Sequence, residues 1–284
     1  MKANLNDIAR ALRARVLRLS HDGRSPHLGS CLSCIDILVA AYFGGLDLGP
    51  AHRDDPGRDR FLLSKGHAAP ALYATLSRRG YFPEEWLADY NRDGGKLAEQ
   101  PAPQCAPGIE AATGSLGHGL SLAAGIALAN RIENRPGRVV ALLSDGECNE
   151  GSVWEAAMLA AAQRLERLMA IVDYNRWQAT GRSDEVLALA PLADKWRAFG
   201  WSTVEVDGHD IDALAAMLRA FPDGSGKPVA ILAHTIKGKG VSFMEDDNNW
   251  HYRIPNREEL QAALAELGSA EAQWSKGAVE QWRR

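Results

Sequence analysis

The chain has 284 residues, 46% of them hydrophobic, with 32 basic and 36 acidic side chains and a formal net charge of −4. That is enough apolar sequence for one large domain with its own core. The balanced charge, without a basic stripe, argues against a nucleic-acid surface, and no apolar run is long enough to span a bilayer.

The opening Met1-Lys2-Ala3-Asn4 lacks the apolar stretch of a signal peptide, so a cytoplasmic protein is expected. Leu5, Ile8, Leu12, Val16 and Leu19 recur at helical spacing and predict an amphipathic helix over 5–20, placed as a natural start after Met1. A second helix is expected over 31–43. It carries Cys31 and Cys34, a Cys-x-x-Cys pair. A zinc site would need another pair, and Cys105 and Cys148 stand alone. Leu32, Ile35, Leu38 and Val39 share the segment, so both cysteines read as small buried residues rather than a redox pair. Cys148 reads the same way, with a reactive thiol as the alternative.

Residues 44–59 read as a surface loop, 68–79 as a helix and 91–109 as an irregular loop rich in Gly, Pro and Gln. Residues 121–131, rich in Ala and Leu, predict a buried helix. Short apolar runs at 139–143, 168–172, 203–206 and 229–233 predict strands. Helices are expected between them at 154–163, 188–199 and 209–220, and after them at 258–267. Trp196 and Trp201 read as core. Strands alternating with helices imply an α/β fold, a three-layer, doubly wound parallel sheet. One domain over 1–284 is expected, with a short C-terminal helical tail and a polar end at Gln281-Trp282-Arg283-Arg284.

The strands at 139–143 and 168–172 carry the chemistry. Each ends on a polar group, Asp145 and Asn175, and in a right-handed βαβ unit the two lie together at the carboxyl edge, where open α/β sheets bind ligands. A carboxylate, an amide oxygen and a backbone carbonyl make a hard oxygen shell suited to Mg²⁺ or Ca²⁺ shared with a phosphorylated ligand. Gly146 lets the backbone approach a phosphate and offers an N–H near a helix start.

Asp145-Gly146 followed at this distance by Asn175 resembles the diphosphate signature of thiamine diphosphate enzymes. The wider wording, Asp145-Gly146-Glu147-Cys148-Asn149-Glu150-Gly151, resembles the transketolase family in particular. Ser144 replaces that signature's usual leading glycine. Four further segments resemble transketolases in family order: the turn Arg24–Ser30 around His27, Ser64-Lys65-Gly66-His67-Ala68, Thr113-Gly114-Ser115-Leu116-Gly117, and Lys237-Gly238-Lys239-Gly240 followed by Trp250-His251. The resemblance implies a thiamine diphosphate-binding fold and ketol transfer between a ketose and an aldose. It implies metal ligation by Asp145, Asn175 and the main-chain oxygen of Trp177. It implies cofactor contacts from His67, Gly114, Leu116, Gly146, Glu147, Asn175, Lys237 and His251. Catalytic roles fall to His27, His67 and His251, with Glu150 near a subunit boundary; Glu155 could join the same acidic cluster. Histidines donate to developing oxyanions and move protons near neutral pH, as this chemistry requires.

The resemblance covers only the first domain of a transketolase. No segment resembles the pyrimidine-binding or C-terminal domains, so the expectation is the N-terminal subunit of a split transketolase with a partner chain, assembled as a two-plus-two heterotetramer. The alternatives are a subunit of another split enzyme, either a 2-oxo-acid dehydrogenase or one delivering two carbons to a carrier protein, and a silent scaffold subunit. One departure stands out: Gln100 occupies the place of a family histidine, and it hydrogen-bonds but cannot titrate. Either donor recognition is altered or the rate is mildly reduced. The face formed by Trp154, Ala157, Met158 and Ala161 reads either as close packing on the sheet or as a contact with a second copy.

Overall fold

A computed structural model of the protein describes residues 4–268. The expected start at Met1 and the polar end at Gln281–Arg284 lie outside the described residues. The strands are β1 (Arg60–Leu63), β2 (Val139–Ser144), β3 (Leu168–Tyr174), β4 (Ser202–Asp207) and β5 (Val229–His234), all parallel, in the order β1-β2-β3-β5-β4. The helices are α1 (Leu5–Gly23), α2 (Leu28–Ser33), α3 (Ile35–Val39), α4 (Ala69–Arg79), α5 (His118–Ile132), α6 (Gly151–Ala162), α7 (Ser183–Val186), α8 (Leu192–Ala198), α9 (Ile211–Ala220) and α10 (Arg257–Glu266).

Strand residues alternate between two cores, which makes the three layers. Val140, Leu142, Met169, Ile171 and Ile231 pack with α1, α3, α4 and α9. Val139, Ala141, Leu143, Ala170 and Val172 pack with α5, α6 and α8. The central strands are buried on both faces and therefore read as unbroken apolar runs. Strand β4, at one edge, is largely exposed, with Val204, Glu205 and Asp207 open to solvent.

Three local differences from the sequence reading have physical causes. Strand β1 is only four residues long and went unread between Asp59 and Ser64; Arg138 Nε clamps Asp59 at 3.0–3.1 Å and fixes it beside β2. The helix expected at 31–43 begins at Leu28, breaks at Cys34 and ends in a π-helical turn, Ala40–Gly45. The break falls where Ser33 Oγ turns to Asp173 Oδ2 at 2.6 Å. The expected face of α6 divides: Ala157 packs on the sheet, Trp154 lies against Trp196 and Phe199, and Met158 is 53% exposed. Both cysteines of the Cys-x-x-Cys pair are buried and free, and burial raises both thiols, Cys34 to about 12. No helix among the described residues is long and apolar enough to cross a membrane.

Candidate functional site

The topology builds the site. The chain after β3 leaves toward the face covered by α8, whereas the chain after β5 crosses toward α1 and α2, so their divergence opens a crevice outside the carboxyl ends of these neighbours. The register pairs Ser144 with Asp173 and Tyr174 with His234, which brings Asp145, Asn175 and the segment after His234 to one edge.

Asp145 is fully buried. Its Oδ1 accepts from the Gly146 N–H at 2.9 Å and its Oδ2 from Ser183 Oγ at 2.7 Å. Burial pushes its carboxyl up to about 7 against the Ser183 bond, and the charge of Asp173 adds to the rise. An acid held here by a hydroxyl and an amide, in a site that penalises its charge, is a group a cation would relieve. Asn175 Oδ1 accepts from the Trp177 N–H at 3.1 Å. The Trp177 indole donates to Asp246 at 2.7 Å and lies under the Arg182 guanidinium, which pins this loop. A Cβ on Gly146 would stand 2.9 Å from Gln178 Cγ, and the buried Gln178 Nε2 has no partner. The oxygen donors of Asp145 and Asn175, a glycine that admits no side chain and an unpartnered amide N–H fit a metal-bound diphosphate.

Three imidazoles face this edge. The His27 ring lies 5.3 Å from that of His67 and 5.0 Å from that of His251. His27 adopts φ +68°, an unusual conformation for a side-chain-bearing residue, and its N–H donates to His251 O at 2.7 Å. Tyr90 steadies the same turn through Ser25 Oγ at 2.7 Å. Burial, then Lys237 and Lys65, hold His27 below its ordinary value; burial, then Lys65, hold His67 well below. Burial and Lys237 lower His251 to about 3. All three are therefore neutral near pH 7, each with one N–H to donate and one lone pair to accept. Lys237 Nζ donates to His251 Nδ1 at 3.0 Å and to Asn248 Oδ1 at 2.7 Å.

The remaining predicted residues are placed as follows. Glu147 is buried and ties three segments together, accepting from Ser64 Oγ at 2.5 Å, Gly117 N at 2.8 Å and Ser144 N at 3.2 Å. Leu116 is half-buried, and a Cβ on Gly114 would overlap the Gln100 carboxamide, so Gln100 lies across that loop. Glu150 and Glu155 are exposed at the start of α6.

Two residues central to the site were not assigned from sequence. Asp173 accepts from Lys65 Nζ at 2.5 Å, from Ser33 Oγ and from Thr235 Oγ1, and lies beneath Asn175. The available signals were an acid inside the last turn of an apolar strand and a lysine between Ser64 and Gly66.

A parallel three-layer sheet with an acidic, glycine-backed cradle at its carboxyl edge defines a diphosphate-binding α/β domain. Residues 4–276 match the family model described as the transketolase thiamine diphosphate binding domain, and the chain belongs to the transketolase family. It is 44% identical over 241 residues to a subunit of the 6-deoxy-6-sulfo-D-fructose transketolase of Clostridium sp. (strain MSTE9), covering 85% of this chain and 88% of that one. It is 37% identical over 255 residues to a subunit of the apulose-4-phosphate transketolase of Phocaeicola vulgatus, covering 90% of each. Among solved structures, the transketolase of Campylobacter jejuni superposes with a TM-score of 0.87 at 25% identity, over 98% of this chain and 48% of that one. The chain thus spans about half of a long-form transketolase, and it is the thiamine diphosphate-binding part of a transferase.

Proposed function

We propose that the chain is the N-terminal subunit of a split transketolase, moving a two-carbon ketol unit from a ketose donor to an aldose acceptor. The observation that carries this is the buried Asp145 beside Asn175, on the same sheet edge as the cluster of His27, His67 and His251. Asp145, Asn175 and the Trp177 carbonyl hold Mg²⁺ or Ca²⁺, and the Gly146 N–H and His67 hold the diphosphate. Leu116 and the Gly114 backbone line the cofactor. Bound thiamine diphosphate supplies the nucleophilic carbon that accepts the ketol unit. His27 and His67 donate to sugar oxygens and shuttle protons, while His251, whose Nδ1 is occupied by Lys237, donates from Nε2. Glu147 keeps the cofactor loop and strand edge in register.

The partner supplies the pyrimidine-binding and C-terminal domains and the sugar-phosphate contacts. Glu150, exposed at the start of α6, faces that partner. Two copies of each chain form a twofold heterotetramer. The exposed face of α5 and α6 serves as the contact between copies of this chain. These helices run parallel, tied by Ser152 Oγ to Gly117 O at 3.0 Å and by Arg131 to Gln163, and they expose Leu122, Met158 and Leu159. A cytoplasmic location accords with this assembly.

The test is reconstitution. The chain alone is expected to show little ketol transfer, and adding the partner to restore it. Robust single-chain turnover would overturn the split reading. Consumption of pyruvate without consumption of ketose phosphates would overturn the reaction.

A further inference from the structure

A second polar cluster borders the crevice, with His209 on its lining, and has none of the roles assigned to the site residues. Arg13 on α1 and Asp36 on α3 are nearly fully buried and form a two-pronged ion pair, Nη1 to Oδ1 at 3.0 Å and Nη2 to Oδ2 at 2.6 Å. His209, in the loop after β4, places Nδ1 at 2.7 Å from the same Oδ2. Its other nitrogen, Nε2, accepts from the Ile236 N–H at 2.9 Å, which leaves the ring proton on Nδ1, facing Asp36. A third Arg13 donor, the Nε–H, goes to the Lys239 carbonyl at 2.9 Å.

The two outer contacts grip the ends of one short segment, at Ile236 and at Lys239. Between them lies Lys237. The segment is held in the middle as well, by Gly238 N to Gly29 O at 3.0 Å. The Lys237 stem crosses the Gly29 backbone so closely that a Cβ there would stand 3.0 Å from Lys237 Cγ. Gly240, at φ +97°, leaves space that Arg13 uses: a Cβ would stand 2.8 Å from Arg13 Cδ. Arg13 and His209 thus hold the two ends of this segment, the Asp246 N–H holds the Lys237 carbonyl at 2.8 Å, and the inward Lys237 side chain ends on His251 and Asn248.

We infer that Arg13, Asp36 and His209 form a positioning triad that holds residues 236–239 and thereby aims the Lys237 ammonium at His251. None of the three is among the residues assigned to the metal, the cofactor or the sugar. Asp36 orients both arms, Arg13 fixes Lys239, and His209 fixes Ile236. The catalytic consequence rests on the role given to Lys237 and His251 above; the positioning itself does not. The lowered value of Lys237, about 8, which arises from burial first and then from Lys65, agrees with an ammonium held in a tightly defined place.

Two histidine substitutions separate positioning from bulk. In His209→Gln the side-chain amide reaches the place of Nε2 and still accepts from Ile236. In His209→Asn it reaches only the place of Nδ1 and meets Asp36 alone. The full chain, labelled at lysine Cε, is titrated by NMR without cofactor, with the Lys237 signal assigned by its loss in Lys237→Arg. The parent and His209→Gln are expected to share one Lys237 midpoint, with His209→Asn moving toward an ordinary lysine. Asp36→Asn, which keeps volume and one acceptor, is expected to move the same way and provides the reading should His209→Asn not fold. In the reconstituted complex, kcat/KM is expected to fall by up to about 100-fold in His209→Asn, with most of it restored in His209→Gln. An unchanged Lys237 midpoint in His209→Asn or, where that does not fold, in Asp36→Asn overturns the triad. Absence of ketol transfer in the parent overturns the proposed function and leaves the NMR result standing.

Discussion

Lys65 and Asp173 meet as a fully buried ion pair, Nζ to Oδ2 at 2.5 Å, directly beneath the edge that carries Asn175. Burial opposes both charges, yet each sustains the other: Asp173 is held below its usual value and Lys65 above its own. Lys65→Met leaves a carboxylate buried without its cation, which is expected to cost about 3–5 kcal/mol of stability. Urea unfolding measures this. Adding Asp173→Asn should recover part of the loss, because no charge is then stranded; a double variant no better than the single one would show that packing, not charge, holds the edge.

Asp145→Ala removes the carboxylate proposed to hold the metal; that group is buried, but burial disfavours its charge, so little stability rests on it. Thermal melting without cofactor should change by only a few degrees. Calorimetric titration in the reconstituted complex should show no Mg²⁺-dependent thiamine diphosphate binding. Binding equal to the parent would make the metal assignment wrong.

Acid should act through Asp36. Burial alone would raise this carboxyl, but the His209 hydrogen bond and the Arg13 guanidinium outweigh it and keep the acid below its ordinary value. Its stabilising contribution is therefore complete above the unfolded-state value of about 3.9 and is lost as the pH falls from there through the folded value. The melting-temperature gap between the parent and Asp36→Asn should stay constant from neutral pH to about 4 and close below it. A gap that closes nearer neutrality would point to another group.

The exposed face of α5 and α6 should govern self-association. Leu122→Asp with Met158→Asp places two charges where apolar side chains are 44% and 53% exposed. Ultracentrifugation is expected to show smaller species than the parent at equal concentration, with unchanged circular dichroism. Identical sedimentation would move the contact between copies elsewhere.

Much of this arrangement is legible in the sequence because it is local. Asp145 and Asn175 close apolar runs, and the runs at 139–143 and 168–172 match β2 and β3 to within two residues. The strand β1 was not legible: four residues give no periodicity, and its position depends on the distant Arg138. The same reason hid Lys65 and Asp173, which are 108 positions apart and acquire meaning only once β1 and β3 share a sheet. The sequence names Glu147 as a cofactor contact, whereas the three partners it takes in the fold, from three separate segments, are not legible there.

The open flank of β4 has a consequence for handling the protein. Among the described residues no strand pairs with the outer edge of β4; a bare strand edge is a template on which another chain can add, and this one includes the β-branched Thr203, Val204 and Val206. Glu205 and Asp207 interrupt that template with negative charge, so two such edges repel on approach. Colloidal stability is in this way tied to two carboxylates of one edge strand. Replacing both with apolar residues would favour strand-to-strand clumping.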